Sequence, residues 1–206
     1  MAGAPLLTTV QDIADYFVRD ILSRRPIGPY FLAGQCEGSV VALEIALQLR
    51  RKGHEIGALI QFDTPATGYF QRLPLHKRIS WALARRENIF SLIINKISRI
   101  LTAHLTAQTP STENYIWNVI WSAVRAYAAD KMFDGEIVIF RAEQIWPRPV
   151  VSRDNVAVGW DRLGAVKIYD VPGDHVRFFL NPTAQGIIRQ VLEDVQQRVT
   201  AEGLKF

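Results

Sequence analysis

A chain of 206 residues with 49% hydrophobic, 21% charged and 10% aromatic residues is too apolar and too aromatic to stay disordered. At this size about 70% of the unfolded surface is buried on folding, so a single domain over 1–206 with one sizeable core is expected. The net charge of +4 permits an acidic partner without arguing for nucleic acid, and the single cysteine, Cys36, excludes an internal disulfide framework and a cysteine-based zinc cluster.

The elements follow in chain order. Over 8–24, Val10, Ile13, Phe17 and Ile21 share one helical face, and Thr9 can cap the helix ahead of Asp12. Pro26 stops it and Gly28-Pro29 turns the chain. Tyr30–Ala33 is a short apolar run that suits a strand covered on both faces. Residues 37–52 read as a helix burying Val40, Val41, Leu43, Ile45, Ala46 and Leu49, with Gly53 as its stop. Further strands are expected at 56–62, 136–141 and 165–169, and a closing helix near 183–200. Strands alternating with helices predict a mostly parallel sheet in an α/β fold.

The stretch 69–132 carries no strand signal. Its apolar residues recur at helical spacing over 76–101 and again over 112–129, which predicts a helical lid inserted between the second and third strands. Phe90, Trp117 and Trp121 are expected to pack the lid's own core. Residues 71–104 hold seven basic side chains, Arg78, Arg85 and Arg86 among them, against Glu87 alone, a local net of +6 that leaves −2 for the rest. A solvated helix face accounts for this; the sharper reading is a docking patch for an acidic partner.

No run approaches the roughly 20 apolar residues of a membrane span. The first basic residue, Arg19, follows Asp12 and Asp15, which is not the charge order of a secretory signal. A cytoplasmic location is therefore expected. His54, His76 and His104 lack metal-ligand spacing with carboxylates, so no metal is expected. No phosphate-cradling loop is present either, because Gly34 and Gly38 are not followed by Lys and Ser or Thr.

The chemistry concentrates at Gly34-Gln35-Cys36-Glu37-Gly38, between the first strand and the second helix. A nucleophile on such a turn must adopt a strained backbone so that its side chain stands clear of the sheet. Gly34 and Gly38 keep strand and helix from colliding. The helix N-terminus favours an anion, and the backbone N–H of Glu37 can face a developing oxyanion. Asp63 follows 27 residues later at the end of the second strand, and His175 lies in the loop after the fourth. Nucleophile, acid and histidine in this order, each at the carboxyl end of a strand, match the α/β-hydrolase arrangement. Glu143, just past the third strand, is the alternative acid.

The chain resembles the thioesterase domains of nonribosomal peptide and polyketide synthases. The resemblance is carried by Gly28–Gly34, Val41–Ala46, Phe62-Asp63-Thr64-Pro65, Phe133–Ala142, Gly159-Trp160 and Pro172-Gly173-Asp174-His175 with Pro182 behind, and it runs from about residue 8 to 200. It implies an α/β-hydrolase fold, nucleophile Cys36, base His175 and orienting acid Asp63. It also implies an acyl or peptidyl chain presented as a thioester on the 4'-phosphopantetheine of a carrier protein or upstream synthase module, with no cofactor bound by the domain itself.

Three departures qualify it. Cysteine stands where the family usually has serine, so the acyl-enzyme would remain an energy-rich thioester able to react with a weak or strained nucleophile. Glu37-Gly38-Ser39 replaces an apolar residue and paired glycines. The strands that normally precede the elbow strand, with a second oxyanion donor, are not represented, so the expected fold is N-terminally truncated. One missing donor of this kind costs about 100- to 1000-fold in rate. The competing reading is an incomplete α/β-hydrolase domain serving as an interaction module.

Overall fold

A computed structural model of the chain describes residues 7–84, 112–127, 132–144 and 157–201. Four strands, β1 (Tyr30–Gln35), β2 (Ile56–Phe62), β3 (Glu136–Gln144) and β4 (Ala165–Asp174), form one sheet in the order β1-β2-β3-β4, every neighbour parallel. Parallel neighbours need crossovers, and α1 (Val10–Arg24) and α2 (Glu37–Arg51) cover one face while α6 (Pro182–Ala201) covers the other. The expected α/β-hydrolase sheet is thus present.

Strand alternation sorts the core into two layers. Leu59, Ile137 and Ile139 pack with Leu43, Leu49 and Val18 beneath α1 and α2. The intervening Ala58, Ile60, Val138 and Phe140 pack with Val191, Val195 and Val199 of α6. At α1 the cap is as the sequence suggests: the Asp12 N–H donates to Thr9 Oγ1 at 3.1 Å.

Three strand ends differ from the sequence expectation, β3 among them, which continues past Arg141 to Gln144. β1 continues past Ala33 to Gln35, which brings the strand directly to Cys36. β4 runs through Val171-Pro172-Gly173 to Asp174, where the sequence reads as a loop. Proline is tolerated there because β4 is the last strand of the described sheet and needs no donor on its outer side. His175 consequently follows the strand directly.

β1 is the other edge of the described sheet. Phe31 is 36% exposed and Ala33 is exposed as well, so this edge is apolar.

Of the 69–132 stretch, three helices are described: α3 (Tyr69–Arg72), α4 (Leu75–Ala84) and α5 (Thr112–Ala126). Ala123 and Tyr127 pack on Val10 and Val40, seating the end of α5 over the starts of α1 and α2. Trp121 falls off this inward stripe. It is 45% exposed, with the Arg125 guanidinium 5.6 Å from its ring centroid, rather than packed inside the insertion. Arg78 is exposed on α4; Arg85, Arg86, Phe90 and His104 lie outside the described residues, as does the Trp117 side chain. Among the described helices none is long and apolar enough to cross a membrane.

Candidate active site

Cys36 sits between β1 and α2 with φ 52° and ψ −129°, in the left-handed half of backbone space where an L-residue is strained. The chain can hold that conformation because β1 and α2 are each anchored in the core. Gly34 shows how tightly they meet. A Cβ added there would stand 2.5 Å from the Gly38 carbonyl oxygen and the Ser39 Cα, both backbone atoms that cannot yield. At Gly38 no described atom lies within 4 Å of an added Cβ, so the two elbow glycines are not equivalent: Gly34 is required by close approach and Gly38 is not. Gly34→Ala is expected to lower thermal stability and displace the elbow. Gly38→Ala should stay within about 0.5 kcal/mol of the parent in a denaturant titration.

Three loops converge at the elbow. Cys36 Sγ lies 3.0 Å from His175 Nε2, and His175 Nδ1 lies 2.9 Å from Asp63 Oδ2. Asp63 is itself held at φ 47°, with its N–H donating to the Phe140 carbonyl and its second oxygen, Oδ1, accepting from the Ala142 N–H at 3.0 Å. Both carboxylate oxygens are therefore engaged. The His175 loop is shaped by Asp174, whose Oδ1 accepts from the N–H groups of Val176 and Arg177; these bonds hold the Asp174 carboxyl below its usual range. Glu143 is exposed on β3, and the carboxylate on His175 Nδ1 is that of Asp63.

The electrostatics favour a protonated His175. The hydrogen bond to Asp63 and then the one to Cys36 push the His175 imidazole up to about 10 from 6.5, against the opposing effect of partial burial. Because the folded value is the higher one, the associated stability is fully present below about pH 6.5. It is lost as pH rises through about 10. The expected result is a denaturation midpoint that falls across this window in the parent and is flatter in His175→Gln, measured by urea titration at a series of pH values.

The N–H of Glu37 opens α2 and has no carbonyl one turn earlier within the helix. This N–H and the positive end of the helix dipole stand together at the elbow, a place that favours negative charge. Among the described residues no group of three His, Cys, Asp or Glu could hold a metal ion.

Two neighbours went unnoticed at the level of sequence. The Cys36 N–H donates to Thr64 Oγ1 at 2.8 Å, and the Gln35 side-chain amide donates to the His175 carbonyl at 3.0 Å. The available signal was position alone: each is a polar residue next to a site residue.

A parallel sheet with a nucleophile elbow after one strand, and an acid and a histidine at the ends of two others, defines the α/β-hydrolase class. The family model of the thioesterase domain matches residues 1–130, and the chain belongs to that family. It is 38% identical over 65 residues to a non-reducing polyketide synthase of Gibberella zeae, covering 32% of this chain and 3% of that one. It is 25% identical over 204 residues to aspulvinone E synthetase of Aspergillus terreus, covering 84% and 22%. To enterobactin synthase component F of Escherichia coli O157:H7 it is 28% identical over 145 residues, covering 66% and 10%. The chain thus matches less than a quarter of the length of each of these relatives.

Solved structures agree on the fold. The NocB thioesterase domain in covalent complex with a fluorophosphonate nocardicin G analog superposes with a TM-score of 0.59 at 24% identity, covering 92% of this chain and 78% of that one. The SrfTE thioesterase domain, which cyclises the lipopeptide surfactin, gives 0.56 at 16% identity over 88% and 74%.

Proposed function

We propose that the domain releases an acyl or peptidyl chain from the phosphopantetheine thioester of a carrier protein, through an acyl-enzyme on Cys36. The observation that carries this reading is the continuous chain Asp63–His175–Cys36 at 2.9 and 3.0 Å, ending on an elbow of positive φ. Cys36 attacks the substrate carbonyl as the thiolate of an ion pair with protonated His175. The tetrahedral oxyanion faces the N–H of Glu37. As it collapses, the carbon–sulfur bond to pantetheine breaks and His175 hands its proton to the departing thiolate. Neutral His175 then accepts a proton from the incoming nucleophile, which attacks the Cys36 thioester and expels the Cys36 thiolate, restoring the pair. Asp63 holds the imidazole in one orientation and balances its charge in both halves.

The nucleophile for release is water, an amine or a hydroxyl of the bound chain. A thioester intermediate keeps much of the substrate's acyl-transfer energy, which favours cyclisation or aminolysis over what an ester intermediate could achieve. The basic stretch around Arg78, Arg85 and Arg86 is the candidate surface for an acidic carrier protein. The 69–132 insertion, which carries this stretch, serves as a lid.

Intact-protein mass spectrometry after incubation with an acyl-pantetheine thioester tests the reading. A single acyl adduct that maps to Cys36 is the expected result. Folded protein that acquires no adduct would replace release by a non-catalytic interaction role.

A further inference from the structure

We propose that Thr64 and Gln35 are positioning residues that cross-brace the three loops and set the reach from His175 to Cys36. Each is the chain neighbour of one site residue and holds a different one. Thr64 follows Asp63, yet its Oγ1 accepts the N–H of Cys36 at 2.8 Å. The same hydroxyl donates to the Phe62 carbonyl at the end of β2, also at 2.8 Å, so its one proton and an accepting lone pair are both committed. The Thr64 carbonyl takes the indole N–H of fully buried Trp160 at 2.6 Å, which fixes the residue from the opposite side. Gln35 precedes Cys36, and its amide N–H holds the backbone carbonyl of His175.

The need for such braces follows from the backbone. Cys36 and Asp63 both sit at positive φ without being glycine, and each would relax toward ordinary space if its surroundings loosened. The Cys36 N–H is the amide at the strained turn, and Thr64 is the partner that satisfies it. Relaxation at Cys36 rotates Sγ away from His175 Nε2. Relaxation at the His175 loop does the same from the other end. The braces thus join the loop after β1 to the loops after β2 and β4, with backbone strain held by side chains outside the Cys36–His175–Asp63 relay.

The proposal rests on Cys36 being the nucleophile, but its test does not depend on turnover. Thr64→Val keeps the shape and removes the hydroxyl; Thr64→Ser keeps the hydroxyl. The groups facing the His175 ring are Asp63 and Cys36, with Asp174 interacting through its charge and Glu37 next to the cysteine, and none of them is altered. The readouts are the His175 titration midpoint by NMR, the rate of Cys36 alkylation by iodoacetamide at fixed pH, and acylation by an acyl-pantetheine thioester. In Thr64→Val the His175 midpoint is expected to fall, since the bond to Cys36 is one of the causes that raise it. Alkylation and acylation should slow by about tenfold or more, with little change in substrate affinity, and Thr64→Ser should restore all three.

A folded Thr64→Val protein with the parent's His175 midpoint and alkylation rate would overturn the proposal, even if its melting temperature fell. Should Thr64→Val not fold, Gln35→Met decides the matter: the same shift supports cross-bracing and parent-like values overturn it. If the parent acquires no acyl group while the NMR and alkylation shifts appear, the release reading fails and the braces stand.

Discussion

Replacing Cys36 by alanine is expected to abolish the acyl-enzyme and to lower release by about 10⁴- to 10⁶-fold, the scale on which loss of a nucleophile acts when the rest of its constellation has nothing to assist. The adduct should vanish from the intact-mass spectrum while the fold persists, because Cys36 caps α2 without a side-chain hydrogen bond to the helix and contributes little packing. An adduct surviving on Cys36→Ala would move the chemistry to another residue.

Cys36→Ser is the more informative variant. Serine replaces the sulfur whose bond to His175 Nε2 is the second cause raising that imidazole. The His175 midpoint should therefore fall, and by less than in a variant that loses the Asp63 bond, which is the larger cause raising it. The intermediate becomes an ester, and the product ratio should shift from cyclised or aminolysed products toward the hydrolysed acid. Unchanged products at an unchanged rate would deny the thioester any special role in release.

The second large effect falls on the acid. Asp63→Asn preserves shape but cannot balance an imidazolium. The amide also presents an N–H where Nδ1–H needs an acceptor. A fall in acylation of about 10⁴-fold is expected, by analogy with the orienting acid of a serine triad. The His175 midpoint should fall in the same variant, since the Asp63 bond is the largest cause raising it. Glu143→Gln, exposed near the end of β3, should stay within about twofold of the parent, as a substitution on exposed surface usually does. The reverse pattern would reassign the acid to Glu143. Both variants can be compared by the same adduct-formation assay.

Much of the fold was legible in the residues. The elbow is local: a strand, a turn and a helix within some twenty residues carry their own punctuation in Gly28-Pro29, Gly34 and Gly53. Strand–helix alternation then dictates parallel pairing, since parallel neighbours need a crossover between them. The insertion was harder to read, because helical spacing shows that an element is amphipathic without showing which stripe finds a partner. Trp121 illustrates it: the aromatic looked like core, but the face of α5 that meets α1 and α2 is the one through Ala123 and Tyr127.

β4 shows the same limit at the level of a strand. Pro172 and Gly173 carry the composition of a turn, and only a position at the edge of the sheet lets them continue the ladder.

By itself, the sequence determined the class of fold, the place of the elbow and the order of the candidate residues, because these depend on neighbours along the chain. Asp63 and Glu143 could not be told apart there, since both end strands and both carry a carboxylate. Tertiary structure sets Asp63 against His175 Nδ1 and leaves Glu143 exposed. β2 lies beside β3, and Asp63 turns out of its strand at positive φ, with the Ala142 N–H holding one oxygen and His175 taking the other. It also brought Thr64 to Cys36 and Gln35 to His175, contacts across 28 and 140 residues of chain. A strained turn needs partners for its backbone groups, and only the folded sheet specifies which strand ends arrive to supply them.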